Sequence, residues 1–158
     1  MSRQPQPLSR RALQAAFIIV LLPLIIPLAI LSLTLLALHR ILLYMLVWLL
    51  WLPRGKDVLF VFSDSPVWRD YMAQQVFPLV QGRAVVVNWS ERSKWPKLWF
   101  PAHVLRTFGG GREFNPLVIV FSPLKRAQLF RFWQPFKDWK RGYTEPVERL
   151  TNDLRLIL

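Results

Sequence analysis

Two carboxylates, three serines and a handful of cations are the residues of this chain best placed to do chemistry. Asp64 and Glu91 follow two short apolar runs, Val58–Phe62 and Ala84–Val87. A carboxylate in such a place can act as a general base, or hold a metal ion that bridges to a phosphate. Ser63 and Ser65 flank Asp64, while Ser122, Lys125 and Arg126 follow a third apolar run, Leu117–Phe121. Hydroxyls at helix starts with cations nearby suit a phosphate or another anion. The plainer roles of the same residues are structural: Asp64 and Ser65 cap a helix, and Glu91 pairs with Arg92 or Lys94 in solvent.

The established catalytic signatures are missing. No G-x-S-x-G, G-x-x-x-x-G-K-[ST], G-x-G-x-x-G or H-E-x-x-H pattern occurs. With no Cys there is no disulfide framework, no thiolate nucleophile and no thiolate zinc site. His39 lies at the membrane boundary and His103 has no evident Asp or Ser partner in sequence, and both read as structural. Gly109-Gly110-Gly111 precedes the third apolar run, so it reads as a turn and not as a phosphate cradle. No cofactor and no metal follow from these residues.

Basic and aromatic residues interleave in two stretches. One holds Lys125, Arg126, Phe130, Arg131, Phe132, Trp133, Phe136, Lys137, Trp139, Lys140 and Arg141. The other holds Trp89, Arg92, Lys94, Trp95, Lys97, Trp99 and Phe100. Three readings compete. The rings fill a core beneath solvated cations; or rings and cations lie on an anionic bilayer, at headgroup depth and on lipid phosphates; or they bind single-stranded nucleic acid. Nucleic acid is the least favoured partner, because an apolar segment already sets the domain beside a bilayer.

That segment dominates the N-terminal third. Ala16–Leu38 is 23 residues without a charge, and about 20 apolar residues cross a bilayer core as a helix. A cleavable signal peptide would have a shorter apolar region and a small-x-small site, so the segment reads as an uncleaved anchor. Pro23 and Pro27 share a face and predict a bend; a hairpin returning to the same side is the alternative. Beyond it, Arg40, Tyr44, Trp48 and Trp51 fall on one helical face, where Tyr and Trp favour the headgroup level and Arg snorkels. Ile41–Leu52 is too short to span alone.

The three apolar runs are continuous and not alternating, which suits strands buried on both faces of a parallel sheet. Helices are expected at Pro66–Val80, more weakly at Lys94–Phe108, and at Lys125–Trp139 and Pro146–Leu158. The junctions Ser65-Pro66 and Ser122-Pro123 look alike, as two similar helix starts or an internal duplication. The expected fold class is therefore α/β: an N-terminal transmembrane helix followed by a small three-layer α/β domain with about three parallel strands. The boundaries are 1–11, a basic flank; 12–38, a transmembrane anchor; 39–56, an interfacial helix and linker; and 57–158, a small basic domain.

A net charge of +12 on 158 residues favours an anionic partner. The expected function is that of an accessory or interaction protein of the inner or plasma membrane, its domain on the cytoplasmic side. It would recognise anionic lipid headgroups or a membrane protein. Arg40, Tyr44, Trp48, Trp51, Arg131, Trp133, Lys137, Trp139, Lys140 and Arg141 are the expected interface. The alternative is a transferase or hydrolase acting on a phosphorylated or glycosyl lipid, with Asp64 and Glu91 as its catalytic groups.

Overall fold

The computed structural model describes residues 10–110, 115–123 and 125–158. Two compact units divide at Leu42 and Leu43. The first unit is helical throughout its described part. It belongs to α1 (Arg10–Leu50), a helix of 41 residues that contains both Pro23 and Pro27. Large apolar side chains between Leu24 and Leu42 are exposed, and Ile25, Leu28, Leu33 and Leu38 among them are more than half exposed. Among the described residues one helix is long and apolar enough to cross a membrane, and it is this one. The chain is helical without a break from Arg10 to Leu50, through Pro23 and Pro27, so the hairpin alternative finds no turn in this segment.

The second unit, Leu43–Leu158, is mixed α/β. Its sheet has four strands, β1 (Val58–Phe62), β2 (Ala84–Asn88), β3 (Leu117–Val120) and β4 (Gln128–Arg131), in the order β2-β1-β3-β4. Only β1 and β2 are parallel, with Val58 opposite Ala84. β3 runs antiparallel to β1, with Val58 opposite Val120, and β4 is antiparallel to β3. The expectation of three parallel strands is corrected here. A continuous apolar run reports burial on both faces, and an antiparallel strand covered by helices on both sides has the same pattern.

The expected helix over Lys125–Trp139 is corrected as well. Its first part is β4, which closes a hairpin with β3, and only Trp133–Trp139 is helical (α5). Phe130, opposite Val118, turns inward while Arg131 is exposed. Two residues of alternation are too few to announce a strand. The two Ser-Pro junctions consequently diverge. The Ser65 carbonyl accepts from the amides of Trp68 and Arg69, opening a helical segment, whereas Ser122-Pro123 enters the hairpin loop.

Helices cover both faces. On one lie α2 (Arg69–Tyr71), a π-helical turn (Met72–Val76) and α3 (Phe77–Val80), with α5 and α6 (Glu145–Ile157). Their Met72, Val76, Val80, Phe136, Val147 and Leu154 meet Val58, Phe60, Val118 and Val120 of the sheet. On the other face lie α4 (Phe100–Phe108) and the last two turns of α1. Here Leu43, Val47 and Trp51 pack with Val104 and Leu105 against Leu59, Val61, Leu117 and Ile119. Strand alternation makes this division: odd and even residues of β1 serve opposite cores. Tyr44 meets Phe108 and Trp51 meets Phe100, so these turns of α1 run antiparallel to α4.

Candidate functional site

The parallel pair β1/β2 brings Asp64, Asn88 and Ser90 together beyond the carboxyl ends of the strands. The Asn88 amide donates to both Asp64 carboxylate oxygens, at 3.1 and 3.3 Å. The Asp64 backbone N–H donates to Ser90 Oγ at 3.0 Å, and the Ser90 N–H to Asn88 Oδ1 at 2.9 Å. Each group serves the next, so the cluster clamps two loops onto each other. Glu91 points elsewhere: its partner is Lys94, 3.5 Å away, and both are exposed. Asp64 and Glu91 are thus near in sequence to one sheet edge but engaged separately. Among the described residues no group of three metal-ligating side chains converges.

The residues expected to hold an anion divide. Ser63 and Ser65 follow β1, at the Asp64 end of the sheet. Ser122, Lys125 and Arg126 follow β3, which runs the other way, so they lie at the opposite end, where the Phe121 N–H donates to the Asp57 carbonyl. Strand direction alone separates the two sets.

At that opposite end the loop after β3 is tied to α1. The Tyr44 hydroxyl reaches the carbonyl oxygens of Ser122, at 2.8 Å, and Lys125, at 2.5 Å. Its ring packs against Phe108 and Phe121. Lys125 and Arg126 are left exposed beside this turn. Tyr44 is the second residue of the second unit, and exposed apolar side chains of α1 continue beyond it at Met45 and Leu49.

The residues expected at a membrane interface divide too. Arg40 is exposed and lies in the first unit. Trp51 is buried in the core beside Phe100 and Phe121, and half-buried Trp48 stacks near Tyr44. Tyr44 and Trp51 pack toward the sheet. The aromatics of α5 pack on its other face: Phe136 stacks on Trp68 at 4.6 Å, and Trp139 lies beside Tyr71. The cations of this region rest on rings and carbonyls. Lys137 Nζ is 3.5 Å from the Trp133 ring centre and Lys140 Nζ 4.9 Å from that of Trp68. Arg141 is 3.9 Å from Asp138, and Arg131 donates to the Gly109 carbonyl at 2.8 Å.

Two features were not anticipated. Asp57 and Arg83 each precede a strand by one residue, and the parallel register makes them lateral neighbours. Arg83 donates from Nε to Asp57 Oδ1 at 2.9 Å and from Nη2 to Oδ2. Hydrogen bonding to Asp57, with its charge, raises the Arg83 pKa against a smaller opposing effect of burial. A raised folded-state value means that this contribution is complete below the ordinary arginine range. It is lost only as pH rises through the shifted value, so it adds no pH dependence near neutrality. Identical placement before two apolar runs was the available signal, readable once those runs are known to pair in parallel. The second feature is an apolar groove of about 200 Å³ between the β1/β2 edge and the segment 69–77. Its residues come from two strands and the segment 69–77, and no local pattern joins them.

No family model, no curated protein and no solved structure matches this chain.

Proposed function

We propose that the chain is a membrane-anchored accessory or interaction protein whose basic domain recognises anionic lipid headgroups at the bilayer surface. It belongs in the inner or plasma membrane, with the domain on the cytoplasmic side. The observation that carries this is the Tyr44 tether. It holds the loop bearing exposed Lys125 and Arg126 beside Tyr44, at the N-terminal end of the domain. In this reading those two cations lie at headgroup depth, where each nearby Lys or Arg is worth about 1 kcal/mol on an anionic leaflet. The cations of α5, engaged by Trp133, Trp68 and Asp138, are secondary in this reading. The lipid-modifying enzyme keeps Asp64 and Glu91 as its acid/base candidates, but no particular observation favours it.

The test is co-sedimentation of residues 41–158 with vesicles of phosphatidylserine and phosphatidylcholine, compared with phosphatidylcholine alone. Reversing both charges in Lys125→Glu/Arg126→Glu is expected to weaken binding to the anionic vesicles by at least tenfold. Lys140→Glu/Arg141→Glu is expected to cost less. Equal binding to both vesicle types, or no effect of the first double variant, would sink the proposal.

A further inference from the structure

The groove beside β2 has walls of Phe60, Phe62, Met72, Phe77 and Val86. It opens at the edge of the sheet, where Val86 is 44% exposed although it stands mid-strand. An exposed apolar residue in the middle of an edge strand, next to a concave apolar surface, marks a place where something apolar fits. One lining residue is charged. Arg69 is exposed, and among the described residues it makes no ion pair; Asp70 follows it in sequence, but no ion pair joins them. Below it the helix widens into the π-helical turn Met72–Val76, a distortion that is frequent at functional sites. Met72 in that turn is an adaptable wall.

We infer that this groove binds a single-chain anionic amphiphile, its hydrocarbon tail along Phe60, Met72 and Phe77 and its acid group on Arg69. Charge complementarity selects the head: an unpaired guanidinium forms a bidentate pair with a carboxylate. Size selects the tail. At about 200 Å³ the groove is smaller than the roughly 300–1,000 Å³ of clefts that enclose drug-sized ligands. It accommodates part of one chain, and a two-chain phospholipid would leave its second chain outside. A long-chain fatty acid is the ligand of this chemistry. The inference does not rest on headgroup recognition by Lys125 and Arg126, which lie in the loop after β3.

The experiment uses the full chain in phosphatidylcholine nanodiscs with a photoactivatable palmitate carrying a diazirine in its tail, followed by mapping of the adducts by mass spectrometry. Adducts on the apolar part of α1 serve as the internal reference for labelling from the bilayer. Adducts within residues 69–77, competed away by unlabelled palmitate, are the expected result. Ala73 is exposed on the groove's rim, so Ala73→Trp blocks the groove without disturbing the core; it is expected to reduce the 69–77 adducts at least fivefold relative to the reference. Arg69→Gln is expected to reduce labelling by palmitate but not by the corresponding uncharged alcohol probe. Labelling confined to α1, or 69–77 labelling that Ala73→Trp leaves unchanged, would overturn the inference. Equal labelling by a photoactivatable phosphatidylcholine would also overturn it, in favour of a bilayer lipid.

Discussion

The Tyr44 hydroxyl does more for this domain than its sequence context suggests. It shares its one proton between two carbonyls in a loop about eighty positions away, while its ring packs on Phe108 and Phe121. Tyr and Trp at the end of an apolar helix usually read as interfacial anchors, and here the ring is turned into the protein. Tyr44→Phe keeps the ring and removes the donor. The expected loss is about 1 kcal/mol of stability, with faster amide exchange in residues 122–127 and little change in β1 and β2. Exchange unchanged in that loop would mean that Tyr44 does not hold it. Asp64 teaches the complementary lesson. It was legible as a functional carboxylate because it follows a strand, yet its oxygens are taken by Asn88, and one residue type at one position served both readings.

Among the elements, α5 comes from a stretch whose sequence signature left several roles open. Interleaved Trp, Phe, Lys and Arg over residues 125–141 suited a core beneath solvated cations, a surface on an anionic bilayer, or a nucleic-acid site. The structure splits the stretch into a strand and a short helix, and Phe130, Phe132 and Phe136 are buried. Phe136 is fully enclosed, in ring contact with Trp68, Tyr71, Phe132 and Trp139. Its replacement by Ala is expected to destabilise the domain by about 3–5 kcal/mol, through lost burial and the cavity left behind. Equilibrium denaturation followed by Trp fluorescence measures this; a loss under 1 kcal/mol would show that α5 is not part of the core. The cations then find places on the outer sides of the same rings, because Lys and Arg lay their stems on apolar surface and keep the charge in water.

At the scale of the molecule, the join between the two units lies inside one helix. Leu42 closes the first and Leu43 opens the second, yet α1 continues to Leu50. Leu43, Val47 and Trp51 therefore belong to the domain's core and not to an anchor or a linker. A chain beginning at Ile41 is expected to fold, with a full near-ultraviolet dichroism signal. One beginning at Pro53 lacks all three residues, at about 2–5 kcal/mol for each large side chain, against a typical net stability of about 5–15 kcal/mol. It should be molten or insoluble; a native signal from it would show that the helix end is dispensable. Sidedness is checked on the full chain with Ser93→Cys, an exposed site in a protein without native thiols. Labelling by an impermeant maleimide only after permeabilisation is expected for a cytoplasmic domain, and labelling of intact cells places the domain outside.

Apolar composition and length were enough to announce the exposed helix, because burying or solvating such a run depends on its own side chains alone. The positions of β1, β2 and β3 were likewise legible as dense apolar runs, and α6 as a 3.6-residue period through Val147, Leu150, Leu154 and Ile157, of which Ile157 is exposed in the structure. Strand direction was not, since burial on two faces leaves the same pattern in a parallel and an antiparallel strand. That single unknown carried the rest with it. The reversal of β3 separated Ser63 and Ser65 from Ser122, Lys125 and Arg126, and it brought the carbonyls of Ser122 and Lys125 to Tyr44. The Asp57–Arg83 pair and the groove under Val86 depend on register between segments far apart in the chain, and such contacts exist only once the sheet has formed.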